Sequence, residues 1–123
     1  MNVVNIDEKL AQIAEPWQPH VVGQVNDSLV KLVKFKGEFV WHHHGAEDEM
    51  FLVVRGTLRI LVNDWGHLRE LVVKPGEFVI IPRTMDHMPI ADDEVHVMLF
   101  EPQTTLNTGN AGGERTISNL PRL

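Results

Sequence analysis

From residue 20 to residue 101 the chain breaks into short β-rich runs punctuated by turn residues. The runs are "HVVGQV", "SLVKLVKF", "EFVWHHH", "EMFLVV", "TLRILV", "LRELVV", "EFVIIP" and "EVHVMLF". Between them fall Asn26-Asp27, Gly45, Gly56, Asn63 to Gly66, Pro75-Gly76 and Asp92-Asp93. These residue types accept the tight or left-handed backbone that turns require. Turns recurring about every 8–12 residues between β-branched runs predict an antiparallel β-sandwich or barrel. No helix-length segment interrupts the runs, which argues against a parallel α/β sheet.

The two ends read differently. In "NIDEKLAQIAE" (5–15), Ile6, Leu10 and Ile13 fall at i, i+4 and i+7, and Asn5 can cap the start. This predicts a short helix that ends before Pro16 and Pro19. Residues 102–123 are polar and rich in Gly, Asn and Thr. They predict either a loosely ordered tail or a strap over one end of the barrel. A chain of 123 residues, 43% hydrophobic, suffices for one domain with a real core. The expected organisation is a barrel over about 20–101, a helix over about 5–15 and a polar tail over 102–123.

Charge and cysteine usage narrow the function classes. A formal charge of -6 argues against nucleic acid and anionic membrane as partners. The absence of cysteine excludes disulfides, thiolate nucleophiles and Cys-based zinc sites. It also suits a reducing compartment. The start of the chain lacks the basic residues and apolar run of a signal peptide, and no apolar stretch approaches the roughly 20 residues of a membrane span. A soluble cytoplasmic protein is expected.

The segment "WHHHGAEDEM" (41–50) carries the chemistry. On a strand, residues two apart share a face, so His42 and His44 project together and His43 projects away. Gly45 and Ala46 can turn the chain so that Glu49, opening the next run, returns beside the pair. Two imidazole nitrogens and a carboxylate oxygen suit a first-row metal ion. Two histidines on an exposed strand face are also what a solvated surface looks like, so the pair alone leaves both readings open. The order His-x-His, four residues, Glu, six residues, Gly is more demanding, and His42, His44, Glu49 and Gly56 meet it.

That order resembles the first motif of the cupin superfamily. Gly37 would be its leading glycine, one residue closer to the first His than usual. "GEFVIIPRTMDHMPIA" is similar to the second cupin motif, with Gly76, Pro82 and His87 in place. Thr84 stands where that motif has a glycine, and Ala91 where it has an asparagine. The resemblance covers residues 30 to 101. It implies an all-β fold: an antiparallel double-stranded β-helix, the cupin jelly-roll barrel, with the short helix added. It also implies that His42, His44, Glu49 and His87 ligate one divalent transition metal: Fe, Mn, Ni, Co, Cu or Zn. His87 follows the Pro-bounded strand end "IIPRTMDH", where a side chain can aim into a barrel mouth. His20, His43, His67 and His96 are expected to be structural or exposed.

Alternation suggests the surroundings of the ion. Val40 lies two before His42, while Phe51 and Val53 share parity with Glu49, so these three are expected to line an apolar pocket. Phe39, Trp41 and His43 should face away. Either Val95, Val97 and Leu99 or His96, Met98 and Phe100 point inward. Arg83 and Asp86 fall at the rim or in surface ion pairs. The resemblance further implies a homodimer and a small-molecule ligand. The expected function is a metal-dependent enzyme acting on a small oxygen-bearing molecule, by dioxygenation or sugar-type isomerisation. The alternatives are a non-catalytic sensor whose metal anchors an anionic ligand, and a barrel whose metal only stabilises the fold.

Overall fold

A computed structural model describes residues 1–123. The chain opens with α1 (Ile6–Ala11), where Asn5 Oδ1 accepts from the Glu8 backbone N–H at 2.9 Å. This side-chain cap satisfies a donor that the first helical turn leaves open. The helix is shorter than its periodicity predicts. Its apolar face nevertheless does its work: Leu10 and Ile13 bury against Leu32 on the outside of the barrel.

Seven strands follow: β1 (His20–Val25), β2 (Ser28–Glu38), β3 (Glu49–Arg55), β4 (Leu58–Asp64), β5 (His67–Val73), β6 (Phe78–Ile81) and β7 (Asp86–Pro102). Every strand pairing is antiparallel. The hydrogen-bonded order is β1-β2-β7-β3-β6, and β4 joins β5 to β7. The fold is therefore the antiparallel jelly-roll barrel, with one short helix at its start. No helix is long and apolar enough to cross a membrane.

Strand β7 organises the barrel, because its first half pairs with β4 and its second half with β2 and β3. Asp92-Asp93, expected as a turn, instead lies within this continuous strand. The register jumps there: Gly37 faces Ala91 but Phe35 faces Val95. Such a bulge bends a strand without ending it. Arg59 holds the bulge from β4, its Nε and Nη2 donating to the two Asp92 oxygens at 2.9 Å each. Gly56 packs against the same region with φ +86°, and a Cβ there would meet the Glu94 carbonyl at 2.8 Å.

Inward positions alternate along each strand. Val33 and Phe35 of β2, Phe51 and Val53 of β3, and Val95, Val97 and Leu99 of β7 meet in one core cluster. Val95, Val97 and Leu99 are thus the inward set of the last strand, while His96, Met98 and Phe100 are only half-buried. Burial of each large apolar side chain contributes roughly 1.5–3 kcal/mol.

Candidate metal centre

The strand expected over 38–44 does not form as a ladder. β2 ends at Glu38, next to Gly37 at φ +82°, and residues 39–48 form a loop. One rung survives: His42 and His87 exchange both backbone hydrogen bonds, at 3.0 and 2.9 Å. Directly paired residues of an antiparallel rung put their side chains on one side. The two imidazole centroids are accordingly 4.2 Å apart. Two residues on, the His44 carbonyl accepts from Thr84 N–H at 2.7 Å. The loops of the two motifs are further clamped by Arg83 N–H donating to Asp48 Oδ1 at 2.8 Å.

These contacts bring His42, His44, Glu49 and His87 together at the centre of the barrel. One ligand-type atom from each lies within 4.8 Å of all the others, and all four residues are buried. Such a set could hold a metal ion. Nε2 of His44 and of His87 lie 3.3 and 3.4 Å from Glu49 Oε1. These distances are too long for well-formed hydrogen bonds between such groups, and the three atoms have no partner.

Local backbone fixes which nitrogens face the centre. Nδ1 of His42 lies 2.9 Å from the Val40 carbonyl, and Nδ1 of His87 lies 2.9 Å from the Met85 carbonyl. A carbonyl only accepts, so each Nδ1 carries the proton and each Nε2 presents a lone pair to the cluster.

Electrostatics favour the ligating forms. Burial, reinforced by His87, lowers the His42 pKa to about 4, so the ring is neutral at neutral pH. Burial pushes the Glu49 carboxyl up, but the neighbouring Glu101, His44 and His87 side chains outweigh it and hold the group well below its usual range. Glu101 goes the other way: burial, then the Glu49 charge, hold it well above its usual range against the pull of Lys31.

An apolar cavity of about 30 Å³ adjoins the cluster, walled by Trp17, Phe35, Phe39, Phe51 and Leu99. His42, Glu49 and Asn107 supply the polar side chains of its lining. Of the three expected lining residues, Phe51 is present. Val53 belongs to the core cluster, and Val40 serves through its carbonyl instead. Phe39, expected to face away, turns inward, its ring 5.5 Å from that of His42. Strand parity cannot reach it, because it follows the break after Glu38. Trp41 is 41% exposed, and His43 points outward to Asp86 at 2.8 Å. His20, His67 and His96 lie outside the cluster.

Several site residues carry no local signal in the sequence. Trp17 turns into the barrel mouth at φ +64°, donates Nε1–H to the Lys36 carbonyl at 2.8 Å, and stacks on Phe35 and Phe39. Residues after β7 cross the same mouth. Asn110 exchanges two hydrogen bonds with the His43 backbone, through its own N–H and its Oδ1, at 3.1 and 2.7 Å. The Arg115 guanidinium lies over Trp17 and Phe39, 5.5 and 5.8 Å from their ring centres. The end of the chain bridges to Val21 of β1.

Comparison with known proteins agrees with this architecture. The family model described as "Cupin domain" matches residues 28–101. The chain is a cupin. It is 39% identical to a cupin-2 domain protein of Shewanella frigidimarina, with TM-score 0.77, 82% of this chain covered and 95% of that one. YdbB of Bacillus subtilis is 38% identical over 76 residues, which span 62% of this cupin but only 65% of YdbB. At 18% identity the barrel also superposes on hydroquinone 1,2-dioxygenase PnpCD in complex with Fe3+, with TM-score 0.75, covering 85% of this chain and 33% of that one.

Proposed function

We propose that this cupin holds one divalent transition metal through His42, His44, Glu49 and His87, and that it is an enzyme oxidising a small, planar, oxygen-bearing substrate. The observation that carries the reading is the trio of buried, unpartnered atoms, His44 Nε2, Glu49 Oε1 and His87 Nε2, facing one another across the cluster. Leaving such groups unsatisfied costs about 1–3 kcal/mol each, and a cation between them would remove that cost. The bound ion would supply Lewis acidity or, if redox-active, one-electron chemistry.

The chain's own residues supply placement and exclusion of water. Neutral imidazoles and one carboxylate leave a divalent ion with net positive charge and fewer ligands than an octahedral ion accepts, so a substrate oxygen has somewhere to bind. Phe35, Phe39, Phe51 and Trp17 offer flat apolar walls and Asn107 offers one amide to a second oxygen, but at about 30 Å³ the closed cavity admits such a substrate only when the residues covering the mouth move aside. A sugar would leave its hydroxyls facing those walls without partners. Apart from the proposed ligands, no lining side chain can act as a base. This favours dioxygenation of a diol or diketone over sugar-type isomerisation, and the fold shared with a hydroquinone dioxygenase is in keeping with it.

In this reading the whole chain works as one domain in the cytoplasm, which a cysteine-free sequence suits. Two copies pair through the outer face of β3 and β6. There Met50 lies opposite Ile80 and Leu52 opposite Phe78, and Phe78 and Ile80 are 59% and 53% exposed. The test of function is oxygen consumption by iron(II)-loaded protein across a panel of aromatic diols and β-diketones. Uptake that disappears in His42→Ala supports the enzyme. Tight binding of a panel member without turnover would favour the sensor instead.

A further inference from the structure

Two ionisable side chains on the inward face of the barrel have no part in the ligand set. Lys31 of β2 and Glu101 of β7 are each 2% exposed, on strand faces that otherwise present Val33, Phe35, Val97 and Leu99 to the interior. Lys31 Nζ donates to Glu101 Oε1 at 2.7 Å. Burying two ionisable side chains carries a heavy desolvation cost, and an apolar pair of similar volume commonly fills such a space with equal or greater stability. Stability alone therefore does not account for this pair.

Its location does. β3 and β7 run antiparallel with Met50 opposite Phe100, so the next step puts Glu49 beside Glu101. Glu101 Oε1 is taken by Lys31, while Glu101 Oε2, like Glu49 Oε1, is buried without a hydrogen-bond partner. Glu49 Oε1 faces the Nε2 atoms of His44 and His87 at 3.3 and 3.4 Å. Glu101, anchored by Lys31, adjoins the same carboxyl group from the barrel wall.

We propose that Lys31 and Glu101 are positioning residues for Glu49: they fix its carboxylate in the orientation that presents Oε1 to the imidazoles, and so set how tightly and in what geometry the cluster grips a divalent ion. This rests on the metal reading above and extends it to residues that never touch the ion. A glutamate free to rotate would offer its oxygens to the centre only part of the time. An anchored one is ready before the ion arrives.

The test is titration of the full chain with cobalt(II), followed by calorimetry and by the visible absorption bands of the bound ion. Partners of coordinating groups are typically worth about 10–100-fold in metal affinity. The double variant Lys31→Met/Glu101→Leu should lose about that factor and shift the cobalt bands, while its melting temperature stays level or rises. Glu101→Gln can still accept from Lys31 and donate to Glu49, so it should bind cobalt(II) within about threefold of the parent and keep the parent's bands. Parent-like affinity and bands in the double variant overturn the proposal. So does a Gln variant as weak as the double variant, since charge rather than placement would then matter. A parent protein that binds no cobalt(II) overturns the metal reading itself, and this inference with it.

Discussion

Replacing Gly109 with alanine should release the C-terminal strap from the barrel mouth. Gly109 has φ +51°, and a Cβ built there would collide with the His43 carbonyl oxygen and sit 3.2 Å from His42 Cδ2. The left-handed backbone costs an L-residue roughly 1–2 kcal/mol. Forcing a methyl group against fixed backbone adds about 1–3 kcal/mol. Together they amount to about 2–5 kcal/mol against the docked strap, or roughly 30-fold and upward in its opening equilibrium. Gly112 supplies the control: its φ is +62°, but nothing lies within 4 Å of a Cβ there. Gly112→Ala should thus carry the backbone cost without the clash. The assay is tryptic cleavage at Arg115, within the strap, under conditions where the rate follows the population of the open form. Gly109→Ala should accelerate cleavage at least several-fold more than Gly112→Ala. Equal acceleration in the two variants would refute the reasoning, as would a Gly109→Ala rate equal to the parent's.

Thr84 has φ +73° at the position where the second cupin motif carries glycine; Thr84→Gly should therefore relieve strain and raise thermal stability by up to about 1 kcal/mol, net of the added flexibility of the unfolded chain. A lower melting temperature would show that the threonine side chain compensates for its backbone. The pKa of His42 falls from 6.5 to about 4 on folding, so the unfolded chain binds the extra proton below pH 6.5. Metal-free protein should keep this stability above pH 6.5 and lose about 3 kcal/mol of it as pH falls to about 4, with Glu49 adding to the loss at lower pH. Urea midpoints that stay flat between neutral pH and pH 4.5 would contradict the burial of a neutral imidazole.

How far the sequence could be read depended on whether the backbone stayed regular. Turn spacing announced the β-barrel, and β1 begins and ends where its run "HVVGQV" does. His42 and His44 share a side because the rung to His87 and the bond from Thr84 preserve their alternation, although the strand itself stops at Glu38. Phe39 falls at that break and turns inward, against its parity. Asp92-Asp93 has the composition of a turn, but it forms a bulge within β7, gripped by Arg59 33 residues away in sequence. The strap was legible only as one of two alternatives. Its docking rests on contacts at Gly109, Asn110 and Arg115 and on the bridge from the chain end to Val21, none of which a periodicity encodes. Lys31 and Glu101 pair across 70 residues. Read locally, each is an ordinary charge in a β-rich run; alternation turns each inward, and the register between β2 and β7 brings the two together.

Whether the four side chains share one ion is decided by anomalous diffraction from crystals grown with manganese(II). A single peak is expected, within coordination distance of Nε2 of His42, His44 and His87 and of a Glu49 carboxylate oxygen. A map with no peak among them, or with the His87 ring turned away from the other three, would contradict the metal centre.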